Sequence, residues 1–230
     1  MKFVLLFVLV FFTSVLLGQN QRFFSGLFPE MGINIPLNDK FKYTAKIESQ
    51  NGFFSNDEYK ESTWQYFHNQ TDLQSFIDIQ LTYRIKSAIG YQYRLEEGGN
   101  SHRGIQQITW LNNFTKFRLG SRLRADQKFS SKINPEFRLR YRAASDLPLQ
   151  GSKLDDGEKY LLLSNEVIFA LQSHSLTIEN RLVTGLGHYF NKSKKIELSV
   201  DYRTDPYFPS VNRHRLWIKF SFYWNMKGFK

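Results

Sequence analysis

Hydrophobic and polar residues alternate with a period of two through most of this chain. The alternation is clearest in Arg118–Arg142, where FRLGSRLRADQKF is followed, after a short turn-rich break, by EFRLRYRA. In both halves most apolar side chains occupy odd positions and the arginines occupy even ones. Side chains with this period point to opposite faces of a β-strand. The pattern therefore predicts two neighbouring strands with one apolar face and one face lined by guanidinium groups.

Similar alternation predicts strands before and after this pair. The further predicted strands span residues 23–34, 41–49, 61–69, 75–85, 89–95, 103–111, 160–171, 175–186, 195–203 and 213–224. Most are longer than the ~5–6 residues of typical soluble strands and approach the ~9–11 that a tilted membrane strand needs. Short turns at Lys86-Ser87 and Ser173-His174 indicate an antiparallel meander, and the second turn would set Glu166 opposite Arg181. The longest predicted loop covers residues 145–159.

The strand pattern predicts an all-β fold, a closed antiparallel transmembrane up-and-down β-barrel of about 12 strands, with 10 as the alternative. Only a closed barrel lets a sheet satisfy every backbone amide inside a bilayer. An even strand count would place both ends of the chain in the periplasm. The competing class is a soluble barrel or sandwich with an apolar interior, which has fewer and shorter strands.

The N-terminus supports export. Residues 2–17 read KFVLLFVLVFFTSVLL, which combines one lysine with an apolar run shorter than the ~20 residues of a helical span. We expect a secretory signal peptide at 1–18 and an outer-membrane β-barrel domain at 19–230. Aromatic residues make up 17% of the chain while the mean hydropathy is −0.44. This combination fits strands that face lipid on one side and water on the other.

Composition excludes several other classes. The net charge of +10 would suit nucleic-acid binding, but export and the distribution of basic residues along strands argue against it. The chain has no cysteine, which excludes a lipid-anchored lipoprotein, a disulfide framework and thiolate metal sites. The sequence contains no Gly-x-Ser-x-Gly motif and no recognisable metal-ligand spacing. We therefore expect no catalytic residues, no metal and no cofactor, and an enzyme is the less favoured class.

The candidate functional residues are charged side chains on the predicted inward face. The basic cluster consists of Arg118, Arg122, Arg124, Arg138, Arg140 and Arg142. Its candidate carboxylates and further partners are Glu48, Asp78, Arg94, Glu166, Glu179, Arg181, Glu197 and Asp201. Like charges opposite each other destabilise a strand pair, so these arginines need compensation. Two interpretations remain: a lumen filled by ion pairs, or arginines left to attract phosphate, carboxylate or lipopolysaccharide groups.

Several segments carry a family resemblance: IGYQYRLEE, SHRGIQQITW, FRLGSRLRADQKF, FRLRYRAA and SLTIENRLVTGLGHYF. Through them, residues from about 25 to about 226 resemble the bacterial outer-membrane barrel family labelled domain of unknown function 2490. The resemblance implies a Gram-negative outer-membrane barrel, most often from Bacteroidetes-type bacteria, and it implies no activity.

The predicted function is a small pore or an envelope structural protein with a lumen lined by arginines and carboxylates. The alternatives are a lipid-active outer-membrane enzyme and a barrel subunit of a larger envelope complex. Expected partners are outer-membrane lipid, lipopolysaccharide or small anions, and other envelope proteins, but not nucleic acid.

Overall fold

A single closed β-barrel accounts for the strands of the computed structural model, which describes residues 21–57, 60–114, 117–131, 134–151, 154–205 and 212–227. The predicted signal peptide at 1–18 lies outside these ranges. Within them the strands are β1 (Gln21–Pro36), β2 (Phe41–Asp57), β3 (Lys60–Gln80), β4 (Ile85–Glu96), β5 (Ser101–Asn113), β6 (Arg118–Ser130), β7 (Glu136–Pro148), β8 (Glu158–Gln172), β9 (Ser175–Asn191), β10 (Lys194–Asp205) and β11 (Asn212–Asn225). The same ranges contain no helix long and apolar enough to cross a membrane.

The barrel closes through a parallel contact between its first and last strands. Each strand from β1 to β10 pairs antiparallel with the next, as the meander predicts. β1 then pairs with β11 in parallel, from Gln21 opposite Asn212 to Asn34 opposite Asn225. Because every hairpin reverses the chain direction, an odd number of strands makes the first and last run the same way. The sheet is therefore mixed, and its two chain ends leave from opposite ends of the barrel.

The difference between the expected 12 strands and the observed 11 arises in β3. Residues predicted as two strands, 61–69 and 75–85, belong largely to one strand of 21 residues. Its pairing with β2 is interrupted by irregularities between Gln50 and Asn51, between Gly52 and Phe54, and between Ser55 and Asp57. Each such bulge shifts the alternation of side chains by one residue. The apolar positions consequently change parity within β3, and the sequence pattern looks like the end of one strand and the start of another.

Two of the predicted turns have different outcomes. The turn expected at Lys86-Ser87 lies earlier, at residues 81–84, where the hydroxyl of Thr82 accepts hydrogen bonds from the backbone N–H groups of Arg84 (3.3 Å) and Ile85 (3.1 Å). The Ser173-His174 turn is confirmed. Both of its residues have positive φ angles, 48° and 66°, as a two-residue type I′ turn requires. The long loop is shorter than expected, because β7 continues to Pro148 and β8 begins at Glu158.

The two faces of the sheet differ sharply in polarity. Large apolar side chains are exposed around the outside of the barrel, including Leu27, Ile47, Leu73, Ile89, Leu123, Leu139, Leu198 and Phe220. The alternate positions point inward and carry most of the buried charged residues. The interior is not wholly polar, however, because Phe28, Phe76, Ile105, Ile168 and Trp217 are also buried there. The outside is not wholly apolar either, because it carries the exposed amide pairs Gln106–Gln127 and Asn165–Asn180.

Candidate functional site

The arginines of β6 and β7 form one side of the barrel interior. In the register of these strands Arg122 lies opposite Arg142, and Arg124 lies opposite Arg140. Such like-charge pairs weaken a sheet unless other groups compensate them. Neighbouring strands add further inward-facing arginines to the same side. We call the whole group the basic wall, and it consists of Arg103, Arg122, Arg124, Arg138, Arg140, Arg142 and Arg181.

Asp126 is the first compensating group, and it lies on the same strand and face as Arg124. Its Oδ1 accepts a hydrogen bond of 2.6 Å from Nε of Arg124, and its Oδ2 accepts one of 3.2 Å from Nη1 of Arg140. Nη1 of Arg103 lies 3.8 Å from the same Oδ2. Three guanidinium groups therefore share one buried carboxylate.

Glu166 on β8 is the second compensating group. Its two oxygens accept hydrogen bonds from Nη2 of Arg122 at 2.7 Å and from Nη2 of Arg140 at 2.6 Å. The β8–β9 register places Glu166 opposite Arg181, as the two-residue turn predicts, but their nearest charged atoms are 3.9 Å apart. Arg140 thus connects Asp126 and Glu166, and the closest partners of Glu166 come from β6 and β7, not from β9.

The positive charges of the other arginines in the basic wall are only partly neutralised by carboxylates. Glu179 lies 3.4 Å from Arg138 and 3.2 Å from Arg181, and Glu136 lies 2.6 Å from Arg138. Nε of Arg142 donates to the hydroxyl of Ser164 at 2.9 Å, and no carboxylate of the described residues lies within ion-pair distance of Arg142. Seven guanidinium groups face four carboxylates, so this wall carries an excess of three positive charges.

A second group of interior residues has equal numbers of positive and negative charges. Its carboxylates are Glu30, Glu48, Asp72, Asp78, Glu197 and Asp201, and their cationic partners are Lys42, Lys46, Arg94, Lys195, Arg203 and Lys219. Arg94 is the clearest case, because Nε and Nη2 each bind one oxygen of Asp72, at 2.6 and 2.7 Å. We call this group the paired wall, since its positive and negative charges are equal in number.

A cavity of about 300 Å³ lies between the two walls and is lined by residues of both. Several buried donors at this cavity have no hydrogen-bond acceptor in the protein: Gln92 Nε2, Arg103 Nε and Nη2, Arg122 Nε, Arg124 Nη2, Arg140 Nε and Arg181 Nε. A buried donor without an acceptor costs free energy, more so when it is charged. Six of these seven atoms belong to the basic wall, which is also the wall with excess charge.

The structure distributes the sequence-predicted residues over both walls. Arg122, Arg124, Arg138, Arg140, Arg142, Glu166, Glu179 and Arg181 lie at the basic wall, and Glu48, Asp78, Arg94, Glu197 and Asp201 lie at the paired wall. Arg118 is exposed at the beginning of β6 and is not part of the buried network.

The charged residues that sequence reasoning missed include Glu30, Arg103, Asp126 and Glu136. Asp126 could have been found, because it has the same parity as Arg124 on a strand that was already identified. Arg103 was harder to find. It points inward on β5 together with the buried apolar Ile105, so the inward face of this strand does not read as a polar one. Pro29 made the strand containing Glu30 look interrupted.

Comparison with known proteins identifies the family but no characterised relative. No curated protein and no solved structure matches the chain. A family model described as "Protein of unknown function (DUF2490)" matches residues 26–215, which include parts or all of every strand from β1 to β11. Because this match covers well over half of the sequence, the chain belongs to the DUF2490 family, in agreement with the resemblance seen in its strands.

Proposed function

We propose that this protein is an integral β-barrel of a bacterial outer membrane, with a narrow interior path that favours small anions. The observation that carries the proposal is the apolar outer surface of the barrel, which surrounds a charged interior. Leu198 and Phe220 are 58% and 51% exposed and lie opposite each other on β10 and β11, while Asp201 and Ser221 of the same strands are buried inside. A large exposed apolar surface is costly in water and favourable in hydrocarbon.

Aromatic residues at both ends of the barrel support the proposed membrane location. Trp64 stands near the β2–β3 connection and Tyr83 lies in the β3–β4 turn at the opposite end, and both side chains are largely exposed. Trp110 and Trp224 lie near the same end as Tyr83. Amphipathic rings are enriched where a membrane protein passes from hydrocarbon to head groups. Aromatic side chains near both ends of the apolar zone are therefore in the positions that a spanning barrel favours.

The interior supports a narrow path instead of a wide channel. Bulky buried side chains such as Trp217, Tyr160 and Arg124 occupy much of the space within the sheet. The remaining cavity of about 300 Å³ suits ions and very small solutes. Rings of fixed charge select ions of the opposite sign, so the excess of the basic wall favours anions.

An arginine substitution at two equally exposed leucines tests the membrane location. Leu198 lies within β10, and Leu149 is 56% exposed at the connection between β7 and β8. In a bilayer, Leu198→Arg should lower the free energy of unfolding by about 2–4 kcal/mol, whereas Leu149→Arg near the barrel end should cost about 0–1 kcal/mol. Urea unfolding of the protein in phospholipid vesicles measures both values. Equal tolerance of the two substitutions would contradict a lipid-facing surface.

A further inference from the structure

We propose that the interior cavity binds one small oxyanion, of the phosphate or carboxylate class, through Arg103, Arg124 and Gln92. The inference rests on the anion preference in the proposed function and makes it specific. It requires neither conduction nor a particular membrane. The three side chains are on consecutive strands, β4, β5 and β6, and all line the same cavity.

The donor groups of these residues are buried, line one cavity and lack acceptors. Gln92 and Arg103 lie opposite each other in the β4–β5 register and are only 2% and 3% exposed. Arg103 and Arg124 both approach Asp126, one on each carboxylate oxygen. Gln92 Nε2, Arg103 Nε, Arg103 Nη2 and Arg124 Nη2 remain without an acceptor. These four buried nitrogen donors line one cavity, and a bound oxyanion would supply the acceptors that they lack.

The positive charge of Arg103 also lacks a close carboxylate partner. Its closest carboxylate is Asp126 at 3.8 Å, and shorter hydrogen bonds to Arg124 and Arg140 already occupy that carboxylate. Burying a charge without a close partner is expensive. Arg94 shows the contrast, since its side chain is less buried and yet makes two short bonds to Asp72. An anion beside Arg103 would provide the negative charge that the chain itself does not.

The surroundings of the donors favour an oxyanion over a halide. Phe76, Ala88 and Ile105 form a buried apolar cluster beside them, and the guanidinium carbon of Arg124 lies 5.8 Å from the centre of the Phe76 ring. Apolar neighbours exclude water and strengthen the hydrogen bonds of any ligand held there. An arginine fork binds two oxygens of one oxyanion at once, which a single chloride cannot match.

Isothermal titration of inorganic phosphate into the folded, detergent-solubilised protein tests the site. The total ionic strength is kept constant with potassium chloride, so that changes in charge screening do not contribute to the titration. We expect one saturable site per chain. Arg103→Gln removes two of the four donors and should weaken binding by about tenfold or more.

Arg142→Gln is the matched control, because it removes the same charge from the same wall while its Nε donates to Ser164. It should change the phosphate affinity by less than about threefold, because it removes none of the four donors. Equal weakening by both variants would show diffuse attraction of counterions and overturn the site. Saturable binding that is unaffected by Arg103→Gln would also overturn it.

A second variant covers the case in which Arg103→Gln fails to fold. Gln92→Leu removes one donor without changing the charge, and we expect it to weaken phosphate binding by about threefold or more. Unchanged affinity in a folded Gln92→Leu protein would overturn the role of Gln92. Absence of saturable phosphate binding in wild type, with anion-selective conductance intact, would refute the site and leave the proposed function standing. Absence of both would refute the anion preference as well.

Discussion

Glu166→Gln should be among the most destabilising conservative changes in the barrel interior. The Glu166 carboxylate is buried and accepts hydrogen bonds of 2.7 and 2.6 Å from Arg122 and Arg140. A hydrogen bond to a charged group contributes about 1.5–3 kcal/mol. Removing the carboxylate also leaves both guanidinium groups with less compensation in a wall that already has excess positive charge. We expect the free energy of unfolding to fall by about 3–5 kcal/mol.

Double-mutant cycles identify which arginine Glu166 depends on. Glu166 is the only described carboxylate within ion-pair distance of Arg122, whereas Arg181 is closer to Glu179, at 3.2 Å, than to Glu166, at 3.9 Å. The coupling energy between Glu166→Gln and Arg122→Gln should therefore reach about 1.5–3 kcal/mol. The coupling with Arg181→Gln should stay below about 1 kcal/mol, although the β8–β9 register places that residue directly opposite.

Urea unfolding in detergent micelles, followed by tryptophan fluorescence and circular dichroism, measures all members of both cycles. The unfolding slope must stay constant among the variants, since a change would show an altered unfolded state or a departure from two-state behaviour. A coupling with Arg181 as large as that with Arg122 would refute the assignment of partners. Additive losses in both cycles would refute the ion-pair network around Glu166 altogether.

Two further predictions concern conduction and topology. In planar bilayers with a potassium chloride gradient, the reversal potential should show a preference for anions. Arg142→Gln should reduce this anion preference, because Arg142 has no carboxylate partner among the described residues. Absence of current at any salt concentration would refute the path. Because β1 and β11 are parallel, tags placed before Gln21 and after Asn225 should lie on opposite sides of the membrane. Protease protection in cells measures the accessibility of each tag. Accessibility of both tags from the same side would contradict the parallel closure.

Local pattern was sufficient for the direction and faces of most strands. The alternation in β6 and β7 separates Leu123 and Leu139, which are exposed, from Arg124 and Arg140, which are buried. This worked because neighbouring side chains in an extended chain must point to opposite faces, whatever the rest of the fold does. The Ser173-His174 turn was equally local, and its length alone determined the pairing of β8 with β9.

The strand count could not be derived in the same way. Bulges in the β2–β3 pairing shift the parity of the apolar residues, and a bulge depends on how two strands fit together. An error of one strand then changes the closure of the whole barrel from antiparallel to parallel. The prediction that both chain ends lie on the same side was wrong for the same reason, since their placement depends only on whether the number of strands is even or odd.

The sequence by itself determined that this chain forms strands with an apolar side and an arginine-rich side, because that information resides in the spacing of neighbouring residues. Only the tertiary structure decided which charges meet. Glu166 binds Arg122 and Arg140 and lies farther from Arg181, because long arginine side chains reach past their register partners to residues further along or one strand beyond. The same reach leaves Arg103 with a distant, shared carboxylate, so the excess positive charge of the basic wall is a property of the closed barrel and not of any single strand.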